Sequence, residues 1–228
     1  MPIPARFSDR HEAGVLLAEE LTRYAYRSDV IVLGLPRGGV PVAFEVAAAL
    51  QAPLDVFVVR KLGLPGHEEF AMGAIASGGA RLISRDVIRQ FDVSTQDLAA
   101  VTGIEIRELE RREHLYRGGE PFIEVKDKTV IIVDDGIATG ASMAVAVNAL
   151  RDDAPRHITV AAPVASVDAA ELLSRIADDC AFVRIPNYLG SIGAWYVDFS
   201  PTGDDEVRDL LRRSRSWAAD VTSTMATL

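Results

Sequence analysis

The stretch Val130–Met143, VIIVDDGIATGASM, decides the fold. Val130, Ile131, Ile132 and Val133 form an unbroken β-branched run, which reads as a strand covered on both faces, the habit of parallel sheets. Two carboxylates end the run, and a loop of small residues leads into MAVAVNAL, a helical pattern. A strand that passes through a glycine-bearing loop into a helix aims backbone N–H groups and the positive helix end at one point, which suits phosphate. Gly136 and Gly140 tolerate unusual backbone angles, and Thr139 and Ser142 add hydroxyl donors to the amides of residues 138–142. Asp134 and Asp135 stand at the strand end, where a turn can bring both towards one ligand. Acceptors beside a phosphate cradle suit a sugar diol, so the combination points to a ribose 5-phosphate. The carboxylates would accept from the sugar hydroxyls or hold a hydrated magnesium ion. The competing reading is a helix cap or an acidic metal pocket. No lysine precedes Ser142 and the glycine spacing is not that of the nucleotide-binding loops, which argues against nucleoside triphosphates and NAD.

Outward from this motif, apolar runs alternate with helical patterns. SDVIVLG is a short strand, LPRGGVPVAFEVAAAL a glycine loop opening a helix, and LDVFVVRK a second apolar run ending in two cations. LGLPGHEEF reads as a turn-rich loop, AMGAIASGGARLIS as a hairpin turning at SGG, and residues 84–116 as largely helical. Beyond the central motif, HITVAAPVA and CAFVRIP are strands and SVDAAELLSRIADD and DDEVRDLLRRSRSW are helices. The basic end of the last complements its dipole. Ser8 or Asp9 caps a first helix carrying Val15, Leu16 and Leu21. This order predicts an α/β chain, 1–228, built as one domain on a doubly wound parallel sheet. Its core lies at about 28–186, with a helical insertion at about 85–117 and a small C-terminal hood and helix at about 187–217.

A chain of 228 residues with 49% apolar and 25% charged residues folds rather than staying disordered. The net charge of -9 repels polyanions, so nucleic acid and anionic membranes are not expected partners. RELERREHLYR mixes acids and arginines at three and four residue spacing, the pattern of a solvated, ion-paired face. The single cysteine, Cys180, reads as a small core residue. No histidine spacing suits a metal, and an N-terminus without an apolar leader makes the expected location cytoplasmic.

VIIVDDGIATGAS resembles the phosphoribosyl-pyrophosphate signature of type I phosphoribosyltransferases, two acids followed by a threonine-glycine loop. The resemblance implies that family's fold, a magnesium-dependent transfer of ribose 5-phosphate from phosphoribosyl pyrophosphate to a nitrogenous base, and a homodimer. It implies that Asp134 and Asp135 hold the ribose hydroxyls and, through water, the metal. Gly136, Ile137, Ala138, Thr139, Gly140, Ala141 and Ser142 would complete the ribose 5-phosphate site. GLPRGGVP matches the family's pyrophosphate loop, so Arg37, Gly38 and Gly39 would bind pyrophosphate, with a non-proline cis peptide at Pro36–Arg37. Arg60 and Lys61 resemble a basic pair directed at pyrophosphate, although they also read as a plain strand end. Arg37 and Lys61 are the candidates for stabilising transition-state charge. His67, Glu68 and Glu69 read as a polar loop tip or part of a lid.

Enzymes for 6-oxopurines carry an aspartate as the fifth residue of this signature, and here the position is Ala138. That disfavours hypoxanthine and guanine and leaves the acceptor base open. NYLGSIGAWYVDF offers Tyr188, Trp195, Tyr196 and Phe199. Of these, Trp195, Tyr196 and Phe199 are candidates to stack on the base, or to cover a sheet edge or dimer contact. The alternative to catalysis is a phosphoribosyl-pyrophosphate sensor acting on a protein partner.

Overall fold

A computed structural model describes the backbone of residues 5–225 and the side chains of 5–67 and 70–215. Five strands form a parallel sheet: β1 (Val30–Gly34), β2 (Leu54–Val56), β6 (Thr129–Val133), β7 (His157–Val164) and β8 (Asp179–Arg184), in the order β2-β1-β6-β7-β8. Every residue of β1 and β6 is buried, as their unbroken apolar runs require. Val30, Val32, Ile131 and Val133 face one layer, where α1 (Arg10–Glu20), α2 (Gly39–Leu50) and α7 (Asp204–Met225) pack. Ile31, Leu33, Val130 and Ile132 face the other, under α5 (Ala141–Asp152) and α6 (Val167–Ser174). The expected doubly wound α/β architecture is therefore present.

Asp9 caps α1, its carboxylate accepting from the amide of Glu12 at 2.9 Å. The buried positions of α1 are Ala13, Gly14, Leu16, Leu17 and Ala18, and Leu21 follows them into the core. Val15 is half-buried.

The stretch expected as a loop after β2 is a hairpin. β3 (Val59–Leu64) pairs antiparallel with β4 (His67–Ala76), so the turn is only Pro65 and Gly66. Gly66 takes a φ of 76°, which a glycine adopts without strain. Register shifts between Leu62 and Leu64 make the pairing of the two strands irregular. β5 (Arg81–Ile83) closes this second sheet after the expected SGG turn. α3 (Arg85–Gln90) and α4 (Thr95–Arg117) then fill the expected helical insertion.

Arg111 and Arg112 of α4 pair with Glu108 as a solvated face should. Arg117 does not belong to that face. Its side chain is 4% exposed and meets Asp55 at 3.0 Å, while also donating to the Val56 carbonyl at 2.7 Å. It pins the insertion to the sheet edge. Burial pushes the Asp55 carboxyl up, with Arg117 opposing. α7 runs on to Met225, so the arginines at 212–215 lie in mid-helix rather than at a basic end. Cys180 is half-buried against the second layer, and burial raises its thiol pKa to about 11. Among the described residues, no helix is long and apolar enough to cross a membrane.

Candidate functional site

β1 and β6 are neighbours at the sheet centre, and their chains leave in opposite directions, β1 towards β2 and β6 towards β7. The loops after these two strands therefore diverge and open a crevice at their carboxyl ends, the place where open α/β sheets bind ligands. One loop is Leu35–Gly38 and the other runs from Asp134 to Gly140. They touch. A Cβ on Gly39 would lie 2.7 Å from the Val133 carbonyl oxygen and 2.9 Å from the Asp134 Cα, and one on Gly38 would lie 2.0 Å from Asp135 Oδ2. The two glycines thus let the Leu35–Gly38 loop close onto the acid pair. The Pro36–Arg37 peptide is cis, as the resemblance implied.

Asp134 Oδ1 accepts from the amide of Asp135 at 2.9 Å. Burial and the neighbouring Asp135 carboxylate raise the Asp134 pKa to about 8. Burial also raises Asp135, but Arg10 opposes it, reaching Asp135 Oδ2 through Nε and Nη2, each at 2.8 Å. Sequence reasoning missed Arg10, which lies 125 residues from its partner and carries no local signal.

In the loop after the acids, Gly140 takes a φ of 75°, as expected of a glycine in that turn. Gly136 is a glycine for another reason: a Cβ there would sit 2.4 Å from Ile192 Cγ2 in the C-terminal segment. Ile137 is an anchor, buried, with its amide on the Val164 carbonyl and its own carbonyl taking the Ser166 amide. Ser166 caps α6 and also donates its hydroxyl to the Ala138 carbonyl at 2.6 Å. Among the described residues, no backbone carbonyl takes the amides of Ala138, Thr139, Gly140 or Ser142. The Thr139 hydroxyl accepts from Ala141 N at 3.4 Å. A ring of unclaimed donors at the N-terminus of α5 is what a phosphate requires. In the other loop the amide of Gly39 is spent on the Leu35 carbonyl at 3.0 Å, leaving those of Arg37 and Gly38 unclaimed by backbone.

The expected cations divide. Arg37 is exposed beside Gly38. Arg60 is held by Glu105 of α4 at 2.6 Å. Lys61 shares with Ser142, Val101 and Ile104 a cleft of about 530 Å³ between the hairpin and the insertion. The aromatics also divide. Tyr196 is fully buried, packed at tilted angles between Phe7 and Phe199 and donating its hydroxyl to the Asp135 carbonyl at 2.6 Å. It is a core residue and has no face to offer a base. Trp195 donates to the Leu189 carbonyl at 2.9 Å and packs into the same cluster. Phe199 carries the Arg10 guanidinium at 4.0 Å. Tyr188, at 85% exposure, has its ring free of the core. The side chains of Glu68 and Glu69 lie outside the described residues.

Two glycine loops meet at the switch point of an open parallel sheet, one bearing an acid pair and a row of open amides, an arrangement suited to an anionic ligand. Residues 11–188 match the family model described as "Phosphoribosyl transferase domain", and the chain belongs to that family. It is 41% identical over 208 residues to a Mycobacterium tuberculosis protein, found in strains CDC 1551 / Oshkosh and ATCC 25618 / H37Rv, whose name contains phosphoribosyl transferase. That alignment takes in 91% of this chain and 47% of the relative, so the chain spans about half the length of the curated relatives it matches. The crystal structure of TT1426 from Thermus thermophilus is similar at 40% identity and a TM-score of 0.80, covering 91% of this chain and 98% of that one.

Proposed function

We propose that this chain transfers ribose 5-phosphate from phosphoribosyl pyrophosphate to a nitrogenous base and releases pyrophosphate. The observation that carries this reading is the row of unclaimed amides at Ala138, Thr139, Gly140 and Ser142 beside the carboxylates of Asp134 and Asp135. The loop amides hold the 5-phosphate and the acids accept from the ribose hydroxyls. Arg37, with its own amide and that of Gly38, faces the departing pyrophosphate. The chain acts by positioning the donor and meeting the charge that develops as the C1–oxygen bond breaks and the C1–nitrogen bond forms.

Asp134 and Asp135 suit magnesium in kind, since they offer hard oxygens. Among the described residues no third acid, histidine or cysteine joins them in a metal cluster. That pattern fits an ion held mainly by water and the donor's phosphates. When bound, it supplies charge neutralisation to the leaving group. Ala138 puts no carboxylate beside the acceptor, so a base that needs its ring proton removed there is disfavoured.

The test is a panel of purine, pyrimidine and pyridine bases with phosphoribosyl pyrophosphate and magnesium, following pyrophosphate release. Base-dependent release is expected. Tight donor binding with no turnover on any base would replace the transferase with a donor sensor, and no donor binding at all would refute both. Light scattering checks the homodimer that belongs to the same reading.

A further inference from the structure

Asp135 is held from both ends of the chain. The backbone of Phe7 and Ser8 pairs with the segment Trp195–Asp198, which brings α1 against the C-terminal segment. Arg10, the first residue of α1, sends Nε and Nη2 to Asp135 Oδ2, each at 2.8 Å. Its Nη1 donates to the Ser200 carbonyl at 2.8 Å, and the guanidinium plane lies over Phe199. The two side chains are 12% and 15% exposed, so water competes weakly for this pair. A planar fork with contacts on three sides has little freedom left, and it fixes the carboxylate it grips. Tyr196 fixes the Asp135 backbone through its carbonyl.

Both guanidinium contacts end on Oδ2. The carboxylate also feels its own backbone amide, but among the described residues no other residue donates to Oδ1, which is the oxygen left to accept from a ligand. Gly38 keeps this arrangement open, because its Cβ would fall 2.0 Å from Asp135 Oδ2 and 3.3 Å from Arg10 Nε.

We propose that Arg10 is a positioning residue for sugar recognition: by claiming Oδ2 it presents Oδ1 of Asp135 to a ribose hydroxyl and sets a preference for an intact diol over a deoxy sugar. The proposal rests on the ribose 5-phosphate reading of the site. Arg10 transfers nothing and touches no reacting atom.

The experiment is titration calorimetry of ribose 5-phosphate, 2-deoxyribose 5-phosphate and 3-deoxyribose 5-phosphate into the parent chain, R10Q and R10K, with inorganic phosphate as a probe of the loop alone. A hydroxyl bonded to a carboxylate is worth about tenfold or more in affinity, so the parent should prefer ribose 5-phosphate to at least one deoxy analogue by that factor. In R10Q the preference should shrink to within about threefold. The loss should fall on ribose 5-phosphate while inorganic phosphate binds as before. R10K should restore part of the preference. If R10Q keeps the parental preference, or weakens all three sugars equally, Arg10 has no positioning role and the ribose site stands. If the parent itself does not distinguish the sugars, the reading of the acid pair fails, and the role of Arg10 with it. If circular dichroism shows R10Q unfolded, R10K decides by the same ratio: an undiminished preference overturns the proposal.

Discussion

Gly136 packs against Ile192 as well as standing in the loop expected to meet the ligand, and a double-mutant cycle with Ile192 separates the two roles. An alanine Cβ at 136 would lie 2.4 Å from Ile192 Cγ2, 2.8 Å from Cδ1 and 3.2 Å from Cγ1. Carbon atoms rest at about 3.5–4.0 Å, so the isoleucine must retreat by more than an ångström, and all three clashing atoms belong to that one side chain. G136A should cost about 1–3 kcal/mol, the range for overpacking. I192A removes a half-buried side chain and should cost about 1–2 kcal/mol. The double variant has nothing left to clash. Its loss should match I192A alone, giving a coupling of about 1–3 kcal/mol in favour of the pair. Urea unfolding of the four proteins measures this, and donor titration of the same set adds the functional half. G136A should bind phosphoribosyl pyrophosphate weakly because the C-terminal segment is displaced, and the double variant should recover. Additive stabilities would refute the packing argument. Recovered stability without recovered donor binding would show that the ligand itself needs the bare position.

Asp134 gives a pH prediction. Its pKa stands near 8 in the folded chain, raised by burial and by Asp135, against about 3.9 unfolded. The folded state therefore holds the extra proton between these values, and stability from this group is present at low pH and lost as pH rises towards 8. A donor that needs the carboxylate must expel the proton, so its affinity should rise by up to about tenfold per pH unit below 8 and level off above. Calorimetry in buffers of different ionisation enthalpy should show a proton released by the parent but not by D134N; equal release would contradict the assignment. Gly38 and Gly39 should fail differently. G39A meets backbone atoms of Val133 and Asp134 and should lose about 1–3 kcal/mol in urea unfolding, whereas G38A meets the Asp135 carboxylate and the Arg10 that grips it, so it should break that pair and lose donor binding as well as stability. Arg117→Met strands Asp55 without its cation and should cost about 3–5 kcal/mol, part of which D55N should return. A small effect in urea unfolding would mean that Asp55 reaches water.

Those parts of the fold that depend on sequence neighbours were legible. β1, β6 and β7 announce themselves because strands buried on both faces must be continuously apolar, and the loop 134–142 because its acids, glycines and hydroxyls are contiguous. The β3–β4 hairpin was not, since Gly63, Pro65 and Gly66 lie close together and read as an open loop rather than as a two-residue turn between strands with irregular pairing. Aromatics that could stack on a base or fill a core carry the same signal in either role, and Tyr196 turned out to be core. The grip of Arg10 on Asp135 and the seat of Ile192 against Gly136 join residues far apart in the chain, so no local pattern records them. Arg117 shows the reverse error: its spacing fits a solvated helix face, but its position beside Asp55 makes it a buried clamp.

The match to the family model runs from residue 11 to residue 188 and stops short of both Arg10 and the Trp195–Phe199 segment. Yet these two flanks pair through Phe7 and Tyr196 and together hold Asp135. They form one structural unit built from two distant parts of the chain. Grafting a foreign C-terminal segment onto this chain would carry over only half of that pairing, so the graft should hold Asp135 only when the matching N-terminal flank comes with it.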